Sequence, residues 1–99
     1  MSEHPLKIFE KFDPELPKLV ESTNRFALTD GALPGKFKLL IAMALDASLG
    51  AVQGVKMLAQ AAMRAGATEE EITEAVRVAY YISGVGSVYT AAQALKDLL

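Results

Sequence analysis

The stretch AAMRAGATEEEITEA, residues 61–75, decides the fold. Its first five residues are good helix formers, and Gly66 is the residue type that most easily takes the left-handed conformation closing a helix. Thr68-Glu69-Glu70-Glu71 opens another helix. The Thr68 hydroxyl can accept from the backbone of Glu71 while the Glu71 carboxylate reaches back to Thr68, which makes a capping box, and three carboxylates suit the positive end of the helix dipole. Behind them Ile72, Ala75, Val76, Ala79 and Ile82 or Ser83 recur at three- and four-residue spacing and form one face to bury. The segment predicts a helix, a glycine turn and a second helix.

The same logic extends outward. Upstream, residues 36–49 carry apolar side chains at nearly every helical angle (Phe37, Leu39, Leu40, Ile41, Met43, Leu45 among them), which marks a central helix covered on most sides by neighbours. Gly50 ends it with a left-handed cap, and a further helix follows with Val52, Val55, Leu58, Ala59, Ala62 and Met63 on one stripe. Nearer the N-terminus, Ser2 caps a short helix with Pro5 in its first turn, ending near Phe12. Asp13-Pro14 then starts a second helix in which Leu16, Leu19, Val20, Thr23 and Ala27 align, and residues 29–35 form a loop. Downstream, Gly84 and Gly86 interrupt the chain before a last helix bearing Val88, Ala91, Ala92, Leu95 and Leu98 or Leu99. No convincing strand alternation occurs. The expected class is all-α, five to six helices with short connections favouring antiparallel neighbours, and with Leu40, Met43, Ala44, Leu58, Ala62, Ile72, Val76 and Ala79 buried together.

With 99 residues and no linker-like stretch, residues 1–99 read as one domain. Such a chain buries roughly 64% of its unfolded surface, yet 52% of its residues are hydrophobic and its mean hydropathy is +0.24. That surplus implies an obligate homo-oligomer, with Ile8, Phe9, Phe12 and Phe26 near one end and Tyr89, Leu95 and Leu98 near the other as interface groups. A net charge of −2, with both signs mixed along the chain, offers nothing to nucleic acid. No segment reads as a membrane span or as a secretory signal, so a cytoplasmic location is expected. The chain has no cysteine, which excludes a disulfide, a thiolate metal ligand and a dithiol redox centre, and its single histidine, His4, makes no metal site.

LPGKFKLLIA at 33–42, ASLG at 47–50 and the 61–75 stretch, taken together at these separations, resemble the carboxymuconolactone decarboxylase / alkylhydroperoxidase D family over about residues 33–86. The resemblance implies a helical bundle assembled as a trimer, or as a hexamer built from dimers. In the peroxidase-like redox branch of that family a glutamate, a Cys-x-x-Cys pair and a histidine form a proton relay and dithiol. Carried onto this sequence, those positions are Leu39, Ala51, Gly54 and Leu58, none of them titratable. The glutamate and histidine of the decarboxylase branch, near Gly54 and Leu58, are absent too. Thiol–disulfide chemistry needs a thiolate, so the dithiol mechanism has no carrier here.

Two readings of function stay open. In one, the protein is a divergent non-redox member that binds a small acidic or aromatic ligand, with Leu39, Ala51, Gly54 and Leu58 lining an emptied pocket or simply filling the core. In the other, it is a peroxidase-like or lactone decarboxylase-like enzyme using unrecognised residues. Asp46, a carboxylate within an apolar helix, and Gln53 and Lys56, which flank the former motif, are then the candidates. Each has a plainer use: Asp46 as a structural partner of a cap or arginine, Gln53 and Lys56 as a solvated face. Lys36 and Lys38, at the start of the central helix, either attract an anion or keep the loop solvated, and Tyr80, Tyr81 and Tyr89 border a pocket or an interface. No cofactor and no metal is called for.

Overall fold

The capping box forms as its residues dictate. The Thr68 hydroxyl accepts from Glu71 N–H at 3.0 Å, and Glu71 Oε1 accepts from Thr68 N–H at 2.9 Å. In the computed structural model, which describes residues 5–99, a 3-10 turn at Pro5–Ile8 leads into α1 (Phe9–Phe12), and α2 (Glu15–Leu28), α3 (Gly35–Ser48), α4 (Val52–Arg64), α5 (Glu69–Ser83) and α6 (Gly86–Leu95) follow. The described residues contain six α-helices and no strand. Gly50 and Gly66 hold φ of 76° and 102°, conformations any L side chain would resist, and so turn the chain from α3 to α4 and from α4 to α5. The Ser2 cap lies outside the described residues, and α2 starts without a side-chain cap, the Asp13 carbonyl taking the Leu16 N–H instead.

Helices α3 to α6 make the core. Met43, Val55, Ala59, Ala62 and Ile72 are fully buried, with Leu40, Ala47, Ala79, Ala91, Ala94 and Leu95 around them. The expected set is therefore found together: Leu40, Met43, Ala62, Ile72 and Ala79 inside, with Ala44, Leu58 and Val76 half-buried against them. So many alanines at the contacts let the helices approach closely and leave little space between them.

Two expectations need correction. Leu95 belongs to the core, 7% exposed, because α6 packs on α3, α4 and α5, and Leu98 is half-buried against that core, so Leu95 offers little outer surface. Ile82 and Ser83 are not on the buried face of α5; Ile82 is 76% exposed, and that face ends at Ala79. The central-helix reading holds in a specific way. One side of α3 packs on α4, α5 and α6, while Phe37, Ile41, Leu45 and Leu49, spaced by four, form an apolar stripe open to solvent on the other. Neither α1 nor α2 has a buried residue, and they join the bundle chiefly where α2 meets α3.

Candidate functional site

Asp46 falls on the flank of α3 that faces α4, and its carboxylate lies against Gly54 in the first turn of that helix. A Cβ built on Gly54 would overlap Asp46 Oδ2 and stand 2.9 Å from Asp46 Cγ, with the Ala51 methyl 3.6 Å away on the other side. With any larger residue at position 54 the carboxylate would have to move. Asp46 is half-buried, and its carboxylate accepts no hydrogen bond and makes no ion pair among the described residues. The structure thus brings Asp46, Ala51 and Gly54 together at the α3–α4 turn. The Asp46 carbonyl also accepts from Ala51 N–H at 2.9 Å, which ties the turn to the helix end.

No described hollow joins the remaining candidates to this contact. Leu39 and Leu58 are half-buried and pack on the core cluster, Ala51 is half-buried, Gln53 is exposed, and Lys56 is half-buried with no ion pair among the described residues. The described hollows of the single subunit are lined by other residues. One, of about 280 Å³, runs between α5 and α6 past Val76, Val88, Ala91, Leu95 and Lys96. Sequence reasoning passed over it. The signal was the pair Ala91-Ala92 between the larger Val88 and Leu95, small side chains that leave a groove in an otherwise filled face.

Lys36 is committed elsewhere. Its ammonium pairs with Glu71 Oε2 at 3.1 Å and lies 4.9 Å from the Phe37 ring centre, so it locks the start of α3 to the start of α5. The Thr68 N–H, the Lys36 ammonium and the Thr68 hydroxyl together hold the Glu71 carboxyl below its ordinary range, against a smaller opposing effect of burial. Lys38 donates to the Thr29 carbonyl at 2.7 Å. Tyr80, Tyr81 and Tyr89 are all exposed. At the far end of α3, the Ser83 hydroxyl donates to Ser48 Oγ at 3.1 Å and joins α3 to α5 again.

A helical bundle carrying a Leu-Gly turn between two apolar helices, and then a capped Gly-Ala-Thr-Glu turn, is the architecture of one known family. The sequence profile of the carboxymuconolactone decarboxylase family matches residues 14–97, and the chain belongs to that family. Among solved structures, it is similar to the apo crystal structure of a carboxymuconolactone decarboxylase family protein from Legionella pneumophila. The identity is 37% and the TM-score 0.85, over 92% of this chain and 81% of that one. Comparison with curated proteins gives no significant match.

Proposed function

We propose that this chain is a non-redox member of the carboxymuconolactone decarboxylase family, working as a homo-oligomer that binds a small aromatic or acidic molecule at the α3–α4 turn. The observation that carries this reading is the Asp46–Gly54 contact. The place where redox relatives carry their second thiol is taken by a carboxylate, and the chain has no sulfur nucleophile to put anywhere else. Leu39, Ala51 and Leu58 give the site apolar walls, and Lys56, with no ion pair among the described residues, offers a cation to an acidic group. Association of copies is supported by the apolar surface left open on α1, α2 and α3, and the family resemblance implies a trimer or a hexamer.

A thermal-shift series with small aromatic acids and lactones tests the proposal. A bound compound at a hundred times its Kd raises the midpoint by on the order of 10 °C for a domain of this size. Lys56→Met should remove the shift for acids. No shift with any compound of these classes overturns the ligand reading.

One observation favours a second reading. A half-buried carboxylate without a hydrogen-bond partner among the described residues supports a general base for a lactone-type substrate. Turnover of a bound lactone by the wild type that Asp46→Asn abolishes while keeping the thermal shift identifies the enzyme, whereas a binder turns over nothing in either form.

A further inference from the structure

Apolar groups are left open along α1–α2, along the outer side of α3 and around the α5–α6 junction (Tyr81, Ile82, Val85, Tyr89), and the first two of these faces do not meet within one subunit. Helix α2 is amphipathic. Leu16, Leu19, Val20 and Phe26 lie along one side, while Glu15 with Lys18 and Glu21 with Arg25 pair on the other, which leaves the apolar side free of charge. Yet Leu19 is 63% and Phe26 90% exposed, and Ile8 and Phe12 of the preceding turns are 64% and 77% exposed. The second face is the outer stripe of α3, Phe37 to Leu49, opposite its core side.

Folding back within the chain would cover both, but the connection is clamped against it. The Asp30 carboxylate accepts from Gly35 N–H, Lys38 Nζ bonds the Thr29 carbonyl, and Gly31 N–H bonds the Leu33 carbonyl. Gly35 has no room for a side chain, since a Cβ there would stand 2.8 Å from Asp30 Oδ1. The arm is therefore held off the core. The radius of gyration records this: 14.4 Å, against about 13 Å for a globule of this length.

We infer that the α1–α2 arm of one copy lies along the outer α3 stripe of a second copy, and that the exchange is reciprocal. The inference rests on the homo-oligomer reading in its form built from dimers, since a reciprocal contact needs a two-fold axis, and it specifies that interface. The two faces match in length, about 15 Å from Leu16 to Phe26 and about 18 Å from Phe37 to Leu49 at the helical rise. Their eight largest open side chains expose on the order of 1,000 Å² per copy, so a two-fold exchange removes roughly 2,000 Å² from water, the size of an obligate contact. A consequence follows for the site. Leu45 and Leu49 flank Asp46 in the last turn of α3, so an arm covering them becomes a wall beside that carboxylate, and each site is completed by the other subunit.

The absence of cysteine makes the test clean. Full-length Phe26→Cys chains are mixed with full-length Leu45→Cys chains and treated with a short bis-maleimide, and the linked peptides are identified by mass spectrometry. In parallel, the wild type, Phe26→Glu and Leu45→Glu are weighed by sedimentation velocity with helicity followed by circular dichroism. Both glutamates replace exposed residues, so the subunit fold should survive. The expected result is a covalent link between residue 26 of one chain and residue 45 of the other, with a smaller mass for both glutamate variants. An assembled wild type that gives no such link overturns arm exchange and leaves the oligomer reading standing. A wild type of single-subunit mass overturns both. Should a glutamate variant unfold, the cross-link alone decides.

Discussion

The Asp46–Gly54 contact makes a sharp prediction at the scale of single residues. Gly54→Ala puts a methyl where the Asp46 carboxylate sits and forces that side chain to move, so, set against the roughly 1 kcal/mol that alanine gains over glycine in a helix, it should destabilise the protein by about 1–2 kcal/mol net in denaturant unfolding. In an Asp46→Ala background the same change should cost far less, and a double-mutant cycle should return a coupling of about 0.5–3 kcal/mol. Additivity would mean the two residues do not share that space. Glu71 makes a second prediction. Because its folded pKa is lowered, the stability it contributes is fully present above the ordinary glutamate value of about 4.3 and is lost as pH falls through the lower folded value. Glu71→Gln keeps a capping-competent side chain but not the charge facing Lys36, so its acid-unfolding curve should be flatter than the wild type's in that range. An unchanged slope would show that Glu71 is not a linked group. The Thr68–Glu71 box was readable from four letters because capping is local. The link from Glu71 to Lys36, 35 residues away, was not, because it depends on how α3 and α5 dock.

Between residues and the whole molecule, the helices divide into a core and an arm. Ile72, wholly buried between α5 and its neighbours, should cost about 2–5 kcal/mol as Ile72→Ala, and Thr68→Ala about 1 kcal/mol, both measurable by chemical denaturation. Phe26→Ala, at 90% exposure in the isolated subunit, should instead leave subunit stability unchanged and weaken assembly, which concentration-dependent melting would reveal. Helix periodicity and end signals located α3, α4 and α5 within a residue or two, but carried α6 on to Leu98 or Leu99, whereas it ends at Leu95, where no glycine or cap marks the stop. They assigned Leu95 to an interface and Ile82 to the core, the reverse of what is found, because periodicity gives the angle of a side chain and not the neighbour waiting there. On α5 the apolar set runs past the end of the buried face, and on α6 the interior side is set by contact with three helices at once.

For the molecule as a whole, the surplus of apolar residues and the missing cysteines were legible from composition. What covers the surplus was not, because a hydrophobic count does not say whether a face turns inward or outward. The structure places that surplus on α1, α2, the outer side of α3 and the α5–α6 junction, and the proposed assembly would cover the first three. The site was legible only by position. Asp46 stood out as a charge within an apolar helix, but its seat against Gly54 follows from the α3–α4 crossing, which no spacing rule supplies. The central proposal is a family fold put to non-redox use, and the most direct measurement is hydroperoxide turnover. Purified protein, with a dithiol reductant and an alkyl hydroperoxide, should consume peroxide no faster than buffer. The Ala51→Cys/Gly54→Cys variant should not reach efficient turnover either, since Leu39 and Leu58 carry no proton and Asp46 occupies the second thiol's place. Enzyme-dependent peroxide reduction by the wild-type chain, proportional to its concentration, would contradict the proposal outright.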